Sequence, residues 1–191
     1  VNSGRSDEVM THFSEALRLK PDDADTHYNF GVALEKQGRP EEAMAHFSEA
    51  VRLRPDYADA HYSMAVILAR QSKFEEAISH YSKALQVRPS YAEAHNNLGV
   101  ALFSLGKLDK AIEHYKKELE LFPQAFKAAY NLAEELRKQG QFGEAIQYYR
   151  KAIEGNPQFN VPFFMLAKYY LDRRENLEEA VELCKKGIKI K

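Results

Sequence analysis

Five prolines, Pro21, Pro55, Pro89, Pro123 and Pro157, fall at a constant step of 34 residues along the 191-residue chain. A sustained period of this size restricts the fold more than any other feature of the sequence. Each period must form one supersecondary unit, and that unit must bury its apolar face against its neighbours. Other positions keep the same step. Ala43, Ala77, Ala111 and Ala145 are followed four residues later by Phe47, Tyr81, Tyr115 and Tyr149, and three further on by Ala50, Ala84, Glu118 and Ala152. Upstream, Phe30-Gly31, Met64-Ala65, Leu98-Gly99 and Leu132-Ala133 each precede a leucine, at Leu34, Leu68, Leu102 and Leu136.

Within a period the apolar spacing describes two helices. His27, Phe30, Gly31 and Leu34 share one face of a 3.6-residue helix, and so do Ala43, Phe47 and Ala50. Gly31 and Ala43 are small enough for the two helices to approach closely, with Phe47 filling the remaining space. Gln37-Gly38, Leu105-Gly106 and Gln139-Gly140 break the chain between the helices, because glycine accepts the left-handed residue that ends a helix. Pro40 suits the first turn of the second helix, where its missing N–H is not needed. Asp56-Tyr57-Ala58-Asp59 and Ser90-Tyr91-Ala92-Glu93 predict capping boxes.

These residues carry a resemblance to the tetratricopeptide repeat family, whose pattern runs from a large residue through Leu-Gly, Ala, an aromatic, Ala and Pro within 34 residues. The resemblance covers nearly the whole chain. It implies an all-α, right-handed superhelical solenoid of antiparallel helix pairs. The expected organisation is a single array: a partial repeat with only its second helix at 7–21, full repeats at 24–57, 58–91, 92–125 and 126–159, and a final repeat at 160–191. That last repeat carries one inserted residue within Asp172-Arg173-Arg174-Glu175-Asn176. Three departures stand out. His27, His61, His95 and Ala129 occupy a position where the family often has Trp, Glu118 replaces a small residue, and Cys184 replaces an aromatic. No polar capping helix closes either end, which predicts a fragment of a longer protein with a capacity for self-association through uncapped ends.

In this family the first helix of each unit lines a concave groove. Helical geometry places Asp25, Asn29, Val32 and Lys36 opposite the apolar stripe of the first such helix. Steps of 34 turn these into columns. One reads Asn29, Ser63, Asn97, Asn131 and Met165, a second Val32, Val66, Val100, Glu134 and Lys168, and a third Asp25, Asp59, Glu93, Lys127 and Val161. An amide offers both a donor and an acceptor and can hold the backbone of an extended peptide whatever its sequence. The valines beside it would supply apolar contact. The amide column resembles the asparagine ladder in the repeat arm of O-linked N-acetylglucosamine transferases, with Ser63 and Met165 interrupting it. The same asparagines would also serve simply to solvate a helix face. The family's carboxylate-clamp mode calls for Lys where this chain has Tyr28, Tyr62, Asn96 and Tyr130, which argues against that mode and leaves the tyrosines to line the groove. Acidic residues precede basic ones along the third column, a polarity able to orient a dipolar ligand.

The chemistry that the sequence excludes is as informative. A formal net charge of -1 and the absence of a Lys/Arg block point away from nucleic acid and anionic membranes. No apolar run approaches the roughly 18 residues that cross a bilayer, and the polar stretch Val1 to Ser6 is not a signal peptide. One cysteine, Cys184, allows no intramolecular disulfide; this favours the cytoplasm. Cys184 itself is expected to be an inert buried thiol. Histidines form two columns, His12, His46, His80 and His114, and His27, His61 and His95. No helix supplies a ligand pair, and imidazoles of adjacent repeats are expected to stand too far apart to share an ion, so no metal or cofactor is assigned. The acidic pairs Glu41-Glu42 and Glu75-Glu76 open second helices and complement the helix dipole. No phosphate-cradling loop or nucleophile elbow is present, and no catalytic residue is assigned. The chain is therefore expected to be a non-catalytic interaction module that binds a protein or peptide. The alternatives are an accessory arm of a larger glycosyltransferase-like enzyme and a self-assembling scaffold.

Overall fold

The computed structural model describes residues 3–190. They form α-helices joined by short turns, and no strand occurs among the described residues. The chain falls into two compact units, divided between Ala101 and Leu102. The first holds α1 (Ser3–Leu19), α2 (Ala24–Lys36), α3 (Pro40–Leu53), α4 (Ala58–Arg70), α5 (Phe74–Val87) and most of α6 (Ala92–Ser104). The second holds α7 (Leu108–Leu121), α8 (Phe126–Lys138), α9 (Phe142–Gly155), α10 (Val161–Arg173) and α11 (Leu177–Lys189).

In the first unit α2 packs on α3 and α4 on α5, with α3 bridging to α4. In the second α8 packs on α9 and α10 on α11, with α7 against α8 and α9 against α10. The small–aromatic–small pattern builds each interface. Ala43, Phe47 and Ala50 are fully buried on one face of α3, as are Ala77, Tyr81 and Ala84 on α5 and Ala145, Tyr149 and Ala152 on α9. Gly31 is required by contact: a Cβ there would sit 2.6 Å from the Phe47 ring. Full burial of such an aromatic contributes about 2–3 kcal/mol, so the close approach that Gly31 permits is well compensated.

The corner between paired helices is a repeated Schellman turn. Arg39 N donates to Leu34 O (3.0 Å) and Gly38 N to Glu35 O (2.9 Å). The same two bonds recur at Lys73→Leu68 with Ser72→Ala69, at Lys107→Leu102 with Gly106→Phe103, and at Gln141→Leu136 with Gly140→Arg137. The left-handed residue is Gly38, Gly106 and Gly140 at φ 74°, 71° and 77°, but Ser72 at 61° and Arg174 at 54°. One residue separates the left-handed position from the next helix at Arg39, Lys73, Lys107 and Gln141. Two residues, Glu175 and Asn176, do so before α11, and Asn176 is itself left-handed at φ 46°.

Helix N-termini differ from the capping-box expectation. Asp23 caps α2 by accepting from Thr26 N at 2.9 Å. The N-cap of α4 is Tyr57, which makes no side-chain cap. Asp59, expected to close a box with Asp56, is instead held by the Arg88 guanidinium at 2.9 and 2.8 Å. An arginine fork outcompetes a neutral backbone N–H for a carboxylate. Cys184 is a free, half-buried thiol rather than a fully buried one.

Candidate functional site

In the first unit the first helices α2, α4 and α6 present the columns read from sequence. Val66 and Arg70 of α4, Tyr81 of α5, and Asn97 and Val100 of α6 line one cavity of about 370 Å³. Pockets of about 300–1,000 Å³ are the usual size for ligand sites. Val66 is half-buried and Val100 is 39% exposed, so both offer apolar surface to an incoming group. Val32 packs against the Leu34–Phe47–Ile67 cluster. Asn29 is exposed.

The tyrosines tie successive repeats to the amide column. Asn97 Nδ2 donates to Tyr62 Oη at 3.0 Å, and Asn97 Oδ1 accepts from Asn96 Nδ2 at 3.3 Å. Tyr81 also hydrogen-bonds Asn97, and burial pushes its hydroxyl well above the usual phenol range. One period earlier Tyr28 hydrogen-bonds Ser63. The rings are in mutual contact. Tyr28 lies 5.0 Å from Tyr57 and 5.7 Å from Phe47, and Tyr62 lies 4.7 Å from Tyr91 and 5.9 Å from Tyr81. Asn97 is thus oriented by its neighbours and half-buried rather than loose on a solvated face.

The acidic column is also engaged. Asp25 accepts two bonds from Arg54 (2.9 and 2.7 Å) and one from Tyr57 Oη (2.8 Å), while Arg54 lies over the Tyr57 ring at 4.6 Å. Arg88 repeats this with Asp59 and Tyr91. The Arg54 and Tyr57 hydrogen bonds hold the Asp25 carboxyl below the ordinary range. At Asp25 and Asp59 the acidic charges of this column are paired with Arg54 and Arg88 at the surface.

Arg70 was not among the residues singled out for the groove, although stepping Lys36 by one period reaches it. Its guanidinium pairs with Glu35 at 2.8 Å, and its side chain is 69% exposed beside the cavity. In the second unit the same columns do different work. Tyr130 packs on Tyr149 and Phe159. Glu134 stands in the valine column, accepts the Tyr149 hydroxyl and pairs with Arg137 at 2.9 Å. Asn131 is half-buried beside it.

The two histidine columns, which the sequence does not relate to each other, are brought together within each helix pair. The two columns lie on the two helices of one pair and face each other. His27 Nδ1 and His46 Nδ1 are 3.0 Å apart, as are His61 Nδ1 and His80 Nδ1. His27 Nε2 donates to Pro21 O and His61 Nε2 to Pro55 O, at 3.0 and 3.1 Å. A carbonyl only accepts, so neutral His27 and His61 must accept at Nδ1 while His46 and His80 donate from theirs. Burial pushes His80 down to about 4, with neighbouring His61 and Lys83 adding to the effect. No group of three or more His, Cys, Asp or Glu able to hold a metal ion occurs among the described residues. None of the described helices is long and apolar enough to cross a membrane.

Helix pairs in tandem define a repeat fold, and comparison with known proteins agrees. Tetratricopeptide repeat profiles match residues 62–126 and 126–159, and a TPR repeat profile matches 2–38 and 36–72. The chain belongs to the tetratricopeptide repeat family and has its all-α solenoid fold. Among solved structures it resembles MamA at 25% identity and a TM-score of 0.76, over 82% of this chain and 92% of that one. It also resembles YrrB at 23% identity and 0.77, over 94% and 92%. The Pseudomonas aeruginosa pilF protein matches at 24% identity and 0.80, over 94% and 82%. Comparison with curated protein sequences finds no match.

Proposed function

We propose that the chain is a non-catalytic protein-interaction module whose first-helix face captures an extended segment of a partner protein. The convergence of Val66, Val100 and Asn97 on one cavity supports this reading. The valines would hold an apolar side chain while the amide, fixed by Tyr62, would meet the peptide backbone beside it. Arg70 would favour an acidic neighbour in the ligand, exchanging its Glu35 partner for a ligand carboxylate. YrrB is described as a TPR protein with an unusual peptide-binding site, and that precedent fits a peptide ligand here. In the second unit Asn131 and Tyr130 would contribute amide and aromatic contacts, with Asn29, Ser63, Tyr28 and Val32 contributing to the first.

Panning a random peptide library against the chain tests this. Binders are expected, and they should lose at least about tenfold in affinity, or 1.4 kcal/mol, on Val100→Asp and on Asn97→Ala. A leucine-rich consensus with flanking acids is expected from the Val66–Val100–Arg70 geometry. Binders indifferent to both variants would place the site elsewhere and sink the reading.

A further inference from the structure

The opposite side of α4 bounds a second concavity. His61, Met64 and Leu68, at spacings of three and four, face away from Val66 and Arg70. They form the floor of a furrow walled by α3 and α5. Two cavities lie along it, of about 590 and 400 Å³, and exposed Ser48 lines both. The hydrogen-bonded imidazoles join them, His61 lining the larger and His80 the smaller. The furrow is therefore continuous across the middle of the first unit.

Its lining is graded. Met44, Met64 and Leu68 give the smaller cavity an apolar surface, and thioethers adapt to side chains of varied shape. Val51 and Val87 continue that surface into the larger one. Val87 is 44% exposed. The larger cavity carries Arg52 and Lys83 against the single acid Asp56. Arg52 has Glu49 at 2.6 Å, whereas Lys83 has no salt-bridge partner among the described residues. The smaller cavity carries Glu41 and Glu76 with Lys73. One end thus offers Lys83 beside an arginine already paired with Glu49, the other is richer in acid, and the middle is apolar.

We infer that this furrow is a second docking site, distinct from the first-helix face. Its occupant is an amphipathic helical segment of a partner protein. Leucine-type side chains of that segment enter over Met44, Met64 and Leu68, and its acidic end lies over Arg52 and Lys83. Charge complementarity fixes the direction of the segment. The arrangement is not a general property of the repeat. Two periods on, Ala129 stands for His61, Tyr148 for His80 and Glu120 for Arg52. The second unit keeps an apolar floor at Leu132 and Leu136 and a lysine at Lys151, but it lacks the imidazole pair and reverses the charge at the arginine position.

The test uses a fluorescein-labelled synthetic amphipathic peptide, with leucines on one face and glutamates at its N-terminal end. A matched peptide carries lysines in place of the glutamates. The glutamate peptide should bind the native chain and shift the amide resonances of Ser48, His61 and Lys83. Ser48→Trp, which fills the furrow from an exposed position, should weaken it about tenfold or more. Lys83→Glu should weaken it similarly and turn preference toward the lysine peptide. Asn97→Ala should leave it unchanged, which separates this site from the first-helix face. Circular dichroism checks that each variant is folded, and the exposed Lys83 keeps the test intact if Ser48→Trp is not. Failure of the native chain to bind the glutamate peptide would overturn the inference. So would equal binding by folded Ser48→Trp, or resonance shifts confined to the Asn97 face.

Discussion

Ser72 turns a corner that glycine turns at Gly38, Gly106 and Gly140. A left-handed backbone costs an L-residue about 1–2 kcal/mol, and glycine avoids that cost while losing more entropy on folding. The balance favours glycine where a Cβ is not needed. Ser72→Gly is therefore expected to stabilise the chain by about 0.5–1 kcal/mol, read as a raised urea midpoint at unchanged slope. Glu135 presents the opposite problem. It is 3% exposed, and its Oε1 meets Lys138 Nζ at 3.3 Å while its Oε2 has no hydrogen-bond partner. Burial holds its carboxyl above the ordinary range. A raised folded-state value means that the penalty is absent below pH 4.5 and grows as pH rises through and above it. Ile67 occupies the same register two periods earlier. Glu135→Ile should thus gain about 1 kcal/mol at pH 7 and little at pH 4, in paired denaturant titrations. An equal gain at both values would refute burial of charge as the cause.

At the scale of the helix, the imidazole pairs couple α2 to α3 and α4 to α5. Each pair needs a neutral acceptor, so protonating Nδ1 of His27 or His61 breaks the bond to its partner ring. The folded state holds His46, His61 and His80 below their ordinary value. The unfolded chain then binds more protons as pH falls below 6.5, so stability is full above that value and is lost on approach to about 4. For His80, discounted for solvent, the loss by pH 5 is about 1 kcal/mol. Thermal melts from pH 7 to 4 should show it, and His80→Gln should flatten the slope; an unchanged slope would disprove the assignment. Much of this element-level organisation was legible in the sequence. The 34-residue step located the helices, Pro40 marked the start of α3, and the glycines marked three of five corners. What escaped was lateral. Periodicity says which residues recur but not which columns meet, so the facing of His27 with His46 and the capture of Asp25 by Arg54 were invisible. Of the first-helix columns, Val66, Asn97 and Val100 line one cavity, and Arg70 entered only once that cavity showed which residues share a space. Ser72 and Arg174 escaped because a left-handed corner is recognised from sequence mainly by glycine.

For the whole molecule, stacking with near neighbours makes stability local rather than global. Gly31→Val would drive a branched side chain into the Phe47 ring, which a single Cβ already approaches to 2.6 Å. Overpacking of this kind costs about 1–3 kcal/mol. Hydrogen exchange should then show faster opening of α2 and α3, with the amides of α8 and α9 unchanged; uniform loss of protection would instead indicate a single cooperative unit. The tyrosine row has a further, optical consequence. The chain contains 11 tyrosines and no tryptophan, so nothing absorbs at longer wavelength to mask phenol emission. Tyr28 with Tyr57, and Tyr62 with Tyr91 and Tyr81, stand within about 6 Å of one another, close enough to pass excitation between rings. Tyr81 lines the cavity itself. A ligand seated between Val66 and Val100 would alter the emission of that coupled set without any label, so the protein carries its own fluorescent readout of occupancy.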